Sequence, residues 1–179
     1  DDNADSAQPS DAEINALLQH YQNGRYSDAE ELAVSLSERF PAHPFSWEVL
    51  GVLLKQTGRL SEALTAMEQS VKLAPQNAEV HCNLGITLQE LGKLDEAETS
   101  LRQAIKLKPD YKAYNNLGIV MQELGKLDEA EASYKKAIKL KPDFIEAIKN
   151  RCLLLFNQKR FEEALLDADL CVSKGSRQL

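Results

Sequence analysis

Apolar residues recur along the chain in alternating stripes of helical spacing. Tyr114, Leu117, Gly118 and Met121 fall on one helix face, and Leu127, Ala130, Tyr134 and Ala137 fall on a second. The same two stripes occur earlier as Trp47, Leu50, Gly51 and Leu54, then Leu60, Ala63 and Met67. No stretch alternates apolar and polar residues with period two. The pattern therefore predicts an all-α chain built from pairs of helices.

The pairs are copies of one another. QELGKLDEAE stands at 89–98 and again, letter for letter, at 122–131. Extended outwards, the likeness gives five copies anchored at Leu17, Gly51, Gly85, Gly118 and Cys152, spaced by 34, 34, 33 and 34 residues. Twelve residues after each anchor stands an alanine: Ala29, Ala63, Ala97, Ala130 and Ala164. Small residues at these two slots let two helices approach closely. Seven residues after the anchor come Gly24, Gly58, Gly92 and Gly125, then Lys159 in the last copy. Glycine there permits the turn between the helices. Pro41, Pro75, Pro109 and Pro142 follow at the far end of the second helix and predict its termination.

Ser27, Ser61, Asp95, Asp128 and Glu162 are the expected starts of the second helices, with Glu30, Glu98 and Glu131 completing capping boxes. The third and fourth copies are joined by a connection one residue shorter than its counterparts, which predicts a tighter loop before Tyr114 or a later helix start. The expected boundaries are an acidic, disordered tail over 1–9 and one domain over 10–178. Its copies run 10–43, 44–77, 78–110, 111–144 and 145–178.

Trp47-x-x-Leu50-Gly51 and Tyr114-x-x-Leu117-Gly118, with the alanines and prolines in register, resemble the tetratricopeptide repeat. The resemblance covers nearly the whole chain and implies a right-handed superhelical solenoid of five helix-turn-helix repeats. In this family the first helices line a concave face, and the implied function is a non-catalytic scaffold that binds a protein or peptide there. The end copies depart from the pattern at Leu17, at Arg151-Cys152 and at Ser176. Degenerate end copies are expected where a repeat meets solvent.

Two residues before the anchors stand Asn15, Val49, Asn83, Asn116 and Asn150. A side-chain amide both donates and accepts, so a column of them suits the backbone of an extended chain. It is similar to the asparagine column in the repeat arm of O-linked N-acetylglucosamine transferases. The competing reading is that asparagine serves packing at this slot. Beside the column lie Ile86 and Ile119 as an apolar floor, and Lys55, Gln89, Glu90, Gln122 and Glu123 as a polar border. The lysine and asparagine set with which some members of the family grip chaperone tails is missing, for Lys149 stands alone.

Composition narrows the function classes. The net charge of −7 argues against a nucleic-acid partner, which needs a basic face. No apolar run is long enough to cross a bilayer, and the acidic start is unlike a signal peptide. Three cysteines without close pairs point to a reducing, cytoplasmic setting. His20, His43 and His81 are scattered, and the residues show no metal-ligand spacing, phosphate loop or catalytic constellation. The expectation is therefore no enzyme, no cofactor and no metal. Two alternatives stand beside the scaffold reading. One is a substrate-recruiting arm of a glycosyltransferase, sulfotransferase or methyltransferase. The other is weak self-association through an uncapped end, because the last helix predicts a face that wants covering.

Overall fold

The computed structural model describes residues 8–175, so most of the expected tail and the last residues of the fifth copy lie outside the described residues. Ten α-helices and no strand occur among them. The first unit holds α1 (Asp11–Gln22), α2 (Tyr26–Arg39), α3 (Pro44–Gln56), α4 (Leu60–Leu73) and α5 (Ala78–Glu90). The second holds α6 (Leu94–Leu107), α7 (Tyr111–Glu123), α8 (Leu127–Leu140), α9 (Ile145–Asn157) and α10 (Phe161–Gly175). Odd-numbered helices are the first of each repeat and even-numbered ones the second. Within each unit every helix packs against its neighbours in sequence, and α3 also meets α5 as α7 meets α9.

The in-register alanines Ala29, Ala63, Ala97, Ala130 and Ala164 are all buried. The anchor slot shows why small residues are needed. A Cβ on Gly118 would lie 2.5 Å from Cε1 of Tyr134, and one on Gly51 would lie 2.8 Å from Cε of Met67. These contacts join residues sixteen apart, and the volume is shared between the two slots. Where the anchor is large, as at Leu17, the slot sixteen on is small, Ala33. Both are fully buried in one core with Leu36, Leu50 and Leu53. Cys152 is likewise matched with Ala168. The departure at Leu17 is thus a volume-conserving exchange. In the last repeat Arg151 replaces the usual leucine, and its guanidinium forms a two-point pair with the buried Asp167, with Nε donating to Oδ2 at 2.7 Å.

Gly24, Gly58, Gly92 and Gly125 all have φ between 71° and 79°. Lys159 takes their place in the last repeat at φ 60°, a left-handed conformation that costs a residue with a Cβ about 1–2 kcal/mol. The connection before α7 comprises residues 108–110, one fewer than 74–77 and 141–144, so the shorter spacing is absorbed by the loop. Asp110 closes it, its side chain accepting from the Lys112 backbone N–H at 2.8 Å.

The helix starts differ from the expectation. The second helices begin at Tyr26, Leu60, Leu94, Leu127 and Phe161, one residue before the expected Ser27, Ser61, Asp95, Asp128 and Glu162. The N-caps of α2, α4, α6 and α8 are Arg25, Arg59, Lys93 and Lys126, without a side-chain cap bond. The sharp turn at glycine delivers the backbone into the helix, so Ser27 and its counterparts fall inside the first turn. A capping box does form, but at α1: Ser10 accepts from Glu13 N–H at 3.3 Å and its own N–H donates to Glu13 at 2.9 Å. Pro9, just before it, is buried.

The glutamates assigned to capping boxes have another task. Each reaches the basic residue that opens the second helix of the following repeat. Glu30 pairs with Arg59, Glu98 with Lys126 at 2.7 Å, and Glu131 with Arg160 at 2.5 Å. The second copy has Leu64 at this slot. Glu131 is buried and also holds Lys135 at 2.5 Å. Hydrogen bonding from Arg160, ahead of that from Lys135, lowers its pKa from the ordinary 4.5 to about 2.

That shift predicts an acid sensitivity of definite sign. A carboxylate with a lower pKa in the folded state stabilises the fold above pH 4.5, and the contribution is lost as the pH falls towards 2. Urea unfolding of the wild-type chain between pH 7 and 2.5 should lose stability through this window, and Glu131→Gln should be less stable at pH 7 with a shallower decline. Parallel declines of the two proteins would show that the rung contributes nothing.

Candidate functional site

The odd-numbered helices present the sequence-predicted residues, and each unit shows its own part of the set. In the first unit, Asn15 on α1 is exposed. Asn83 on α5 is half-buried and donates from Nδ2 to Oε1 of Glu48 on α3 at 3.0 Å. Lys55 and Glu90, both assigned to the polar border, form an ion pair at 3.2 Å that ties α3 to α5. With Tyr21, Val52 and Gln56 they line an open recess. Ile86 is half-buried between the column and the border, as is Gln89.

In the second unit the arrangement recurs. Asn150 on α9 donates from Nδ2 to Oδ1 of Asn115 on α7 at 3.0 Å, and Asn115 is buried. Asn116 and Ile119 on α7 are half-buried, while Glu123 is exposed. Gln122 accepts a hydrogen bond from the hydroxyl of the buried Tyr134 at 3.3 Å. Burial raises the pKa of that phenol.

Two asparagines of the column therefore bond to the preceding repeat. In both, the residue two before an anchor reaches the residue three before the previous anchor, 35 positions away. These bonds bear on the packing reading: in each amide one hydrogen is used structurally, and the other hydrogen and the side-chain oxygen are left over. The oxygens of Asn83 and Asn150 accept no hydrogen bond among the described residues. The orientation of Asn83 follows from chemistry, since its amide oxygen would be repelled by the carboxylate. Sequence reasoning missed Glu48 and Asn115. The signal was available in their polarity at a slot that holds Ile14 and Cys82 in the first and third copies.

His81 occupies the slot of Trp47, and the two make the same bond. The Trp47 indole donates to the Pro41 carbonyl at 2.9 Å, and Nε2 of His81 lies 2.9 Å from the Pro75 carbonyl. Among the described residues no three His, Cys, Asp or Glu side chains are grouped to hold a metal. The thiol of Cys152 donates to the Ala164 carbonyl at 3.2 Å, and burial pushes its pKa up, away from a reactive thiolate. Among the described residues no helix is long and apolar enough to cross a membrane.

Three family models described as tetratricopeptide repeat match the chain, over residues 16–78, 54–118 and 111–144. Together they run without a gap over well over half of it. No match was found among curated proteins. Solved structures of similar fold include PilF of Pseudomonas aeruginosa, at TM-score 0.84 and 23% identity, covering 92% of this chain and 75% of that one. MamA residues 41 to the end from Desulfovibrio magneticus RS-1 aligns at TM-score 0.83 and 18% identity, over 93% and 95% of the two chains. A further MamA crystal structure aligns at 0.80 and 24%, over 89% and 94%. At these identities the likeness concerns the fold.

The amide bonds give the candidate site a structural cost that can be measured. Asn150→Ala removes the donor to a buried side-chain oxygen of Asn115, and should destabilise the chain by about 1–3 kcal/mol. Asn15→Ala, at an exposed position, should change stability by less than about 0.5 kcal/mol. Urea midpoints of the two variants decide this. Equal midpoints would mean that the Asn150–Asn115 bond has no net structural weight.

Proposed function

Because the chain belongs to the tetratricopeptide repeat family, we propose that it is a non-catalytic scaffold that holds a protein or peptide along the first-helix face of its repeats. The observation that carries this reading is the direction of the amides. Asn83 and Asn150 are each fixed by one bond to the preceding repeat and keep an oxygen for an extended ligand, beside half-buried Ile86 and Ile119. Asn15, Asn116, Gln89, Gln122, Lys55, Glu90 and Glu123 complete the proposed contact set. The repeats of residues 10–178 act as one domain in this reading. Three free thiols suit the reducing cytoplasm.

The reading is tested by selecting random dodecapeptides displayed on phage against the whole chain. Ile86→Ser with Ile119→Ser should weaken the selected peptides at least about tenfold, because each removes most of an apolar side-chain contact. Circular dichroism checks that the variant remains helical. Undiminished binding by the folded variant would place the binding surface elsewhere.

A second reading draws on the last repeat. Leu153, Phe156, Phe161, Leu165 and Val172 are each more than half exposed on α9 and α10. A further domain of a larger enzyme, for which these repeats recruit substrate, would cover such a face. So would a second copy of the chain. Light scattering over a concentration series separates the two. A mass rising towards twice the monomer, and falling back with Phe161→Ser and Leu165→Ser, is expected for self-association. A constant monomer mass removes it.

A further inference from the structure

Most of the chain's shielded carboxylates have a cation. Glu13 pairs with Arg39 at 2.6 Å, Glu98 with Lys126 and Arg102, Glu131 with Arg160 and Lys135, and Asp167 with Arg151. Glu48 does not. It is half-buried at a first-helix slot of α3, and among the described residues no Lys, Arg or His lies within ion-pair distance of it. Lys55, a cation on the same helix, is paired with Glu90. What Glu48 has is the Asn83 amide at 3.0 Å, which fixes one carboxylate oxygen and leaves the other. Burial and the like charge of Glu79 push its pKa up, the opposite of the paired carboxylates Glu98 and Glu131.

The described part of the first unit shares this sign: residues 8–91 carry 5 Lys and Arg against 11 Asp and Glu, while residues 92–175 carry 15 against 14. The Glu48 carboxylate and Oδ1 of Asn83 offer acceptors with no cation of the chain's own at the carboxylate among the described residues, beside one unused Nδ2 hydrogen of Asn83. Guanidinium and ammonium groups only donate, so they match these acceptors, whereas a carboxylate is repelled by Glu48. We propose that the first-helix face of the first unit takes an extended basic segment through one arginine or lysine seated between the Glu48 carboxylate and the Asn83 side-chain oxygen. This rests on the binding-face reading above and names the chemistry of its partner.

The test uses the peptides selected on the whole chain. One position should be enriched in arginine or lysine. Replacing that residue by glutamine in a synthetic peptide should weaken binding to the wild-type chain about tenfold or more, as loss of a charge-assisted hydrogen bond does. The same peptide change should cost almost nothing against Glu48→Gln, and the full loss against Glu68→Gln, an exposed charge control on α4. An equal loss against wild type and Glu48→Gln, or no basic position among the peptides, overturns the inference. If Ile86→Ser still weakens binding in that case, the binding face stands and only its basic partner falls. If it does not, or if no peptide is recovered, both fall.

Discussion

The close approach of the two helices in the second and fourth repeats is the contact on which the rest depends. Gly118 lies so near the Tyr134 ring that a single added carbon would sit 2.5 Å from it. The approach buries the ring and brings its hydroxyl to Gln122 on the first-helix face. The constraint is on summed volume, not on glycine as such. Gly51 with Met67, Gly118 with Tyr134 and Leu17 with Ala33 are three ways of filling one space, as close-packed interiors require. The end copies therefore keep the repeat geometry while losing its most recognisable letter.

Between repeats the cohesion is of another kind. Glu30, Glu98 and Glu131 each reach the basic residue that opens a helix one repeat later. Asn83 and Asn150 reach one repeat back. Such bonds couple neighbours without extending further, which is how a solenoid adds stability locally. At Arg59, Lys126 and Arg160 the basic residue works against the dipole of its own helix while its side chain serves the previous repeat; Arg59 and Arg160 also hold Glu62 and Glu163 of their own first turn.

These links also explain what could be read in advance. Helix number, pairing, the tighter loop at 108–110 and the buried alanines follow from letters repeated at one slot. The helix starts at Tyr26, Leu60, Leu94 and Leu127 did not follow, because the serine and aspartate there are ordinary cap residues displaced by one step. Local capping preference was overridden by the turn geometry and by a partner 28–29 residues away. The rung was visible as a basic residue eight after every anchor (Arg25, Arg59, Lys93, Lys126, Arg160) and an acid thirteen after three of them. It joins two different slots, so a comparison made slot by slot passes over it. The asparagine column was legible as positions for the same reason, and the direction of its amides was not.

In the proposed reading, that direction bears on what the face can hold. An amide free in solution offers both polarities and selects nothing. Bound at its nitrogen to Glu48 or Asn115, it keeps an oxygen that accepts no hydrogen bond among the described residues. Val49, which interrupts the column, brings neither, so the first and second repeats lack this bond. The bound amide keeps its oxygen and one N–H, and in the proposed reading the Glu48 carboxylate beside Asn83 biases the choice towards a positive donor. In the proposed reading, specificity arises from the polar capacity that repeat packing leaves unused, so side chains that hold the solenoid together also limit what can lie along it.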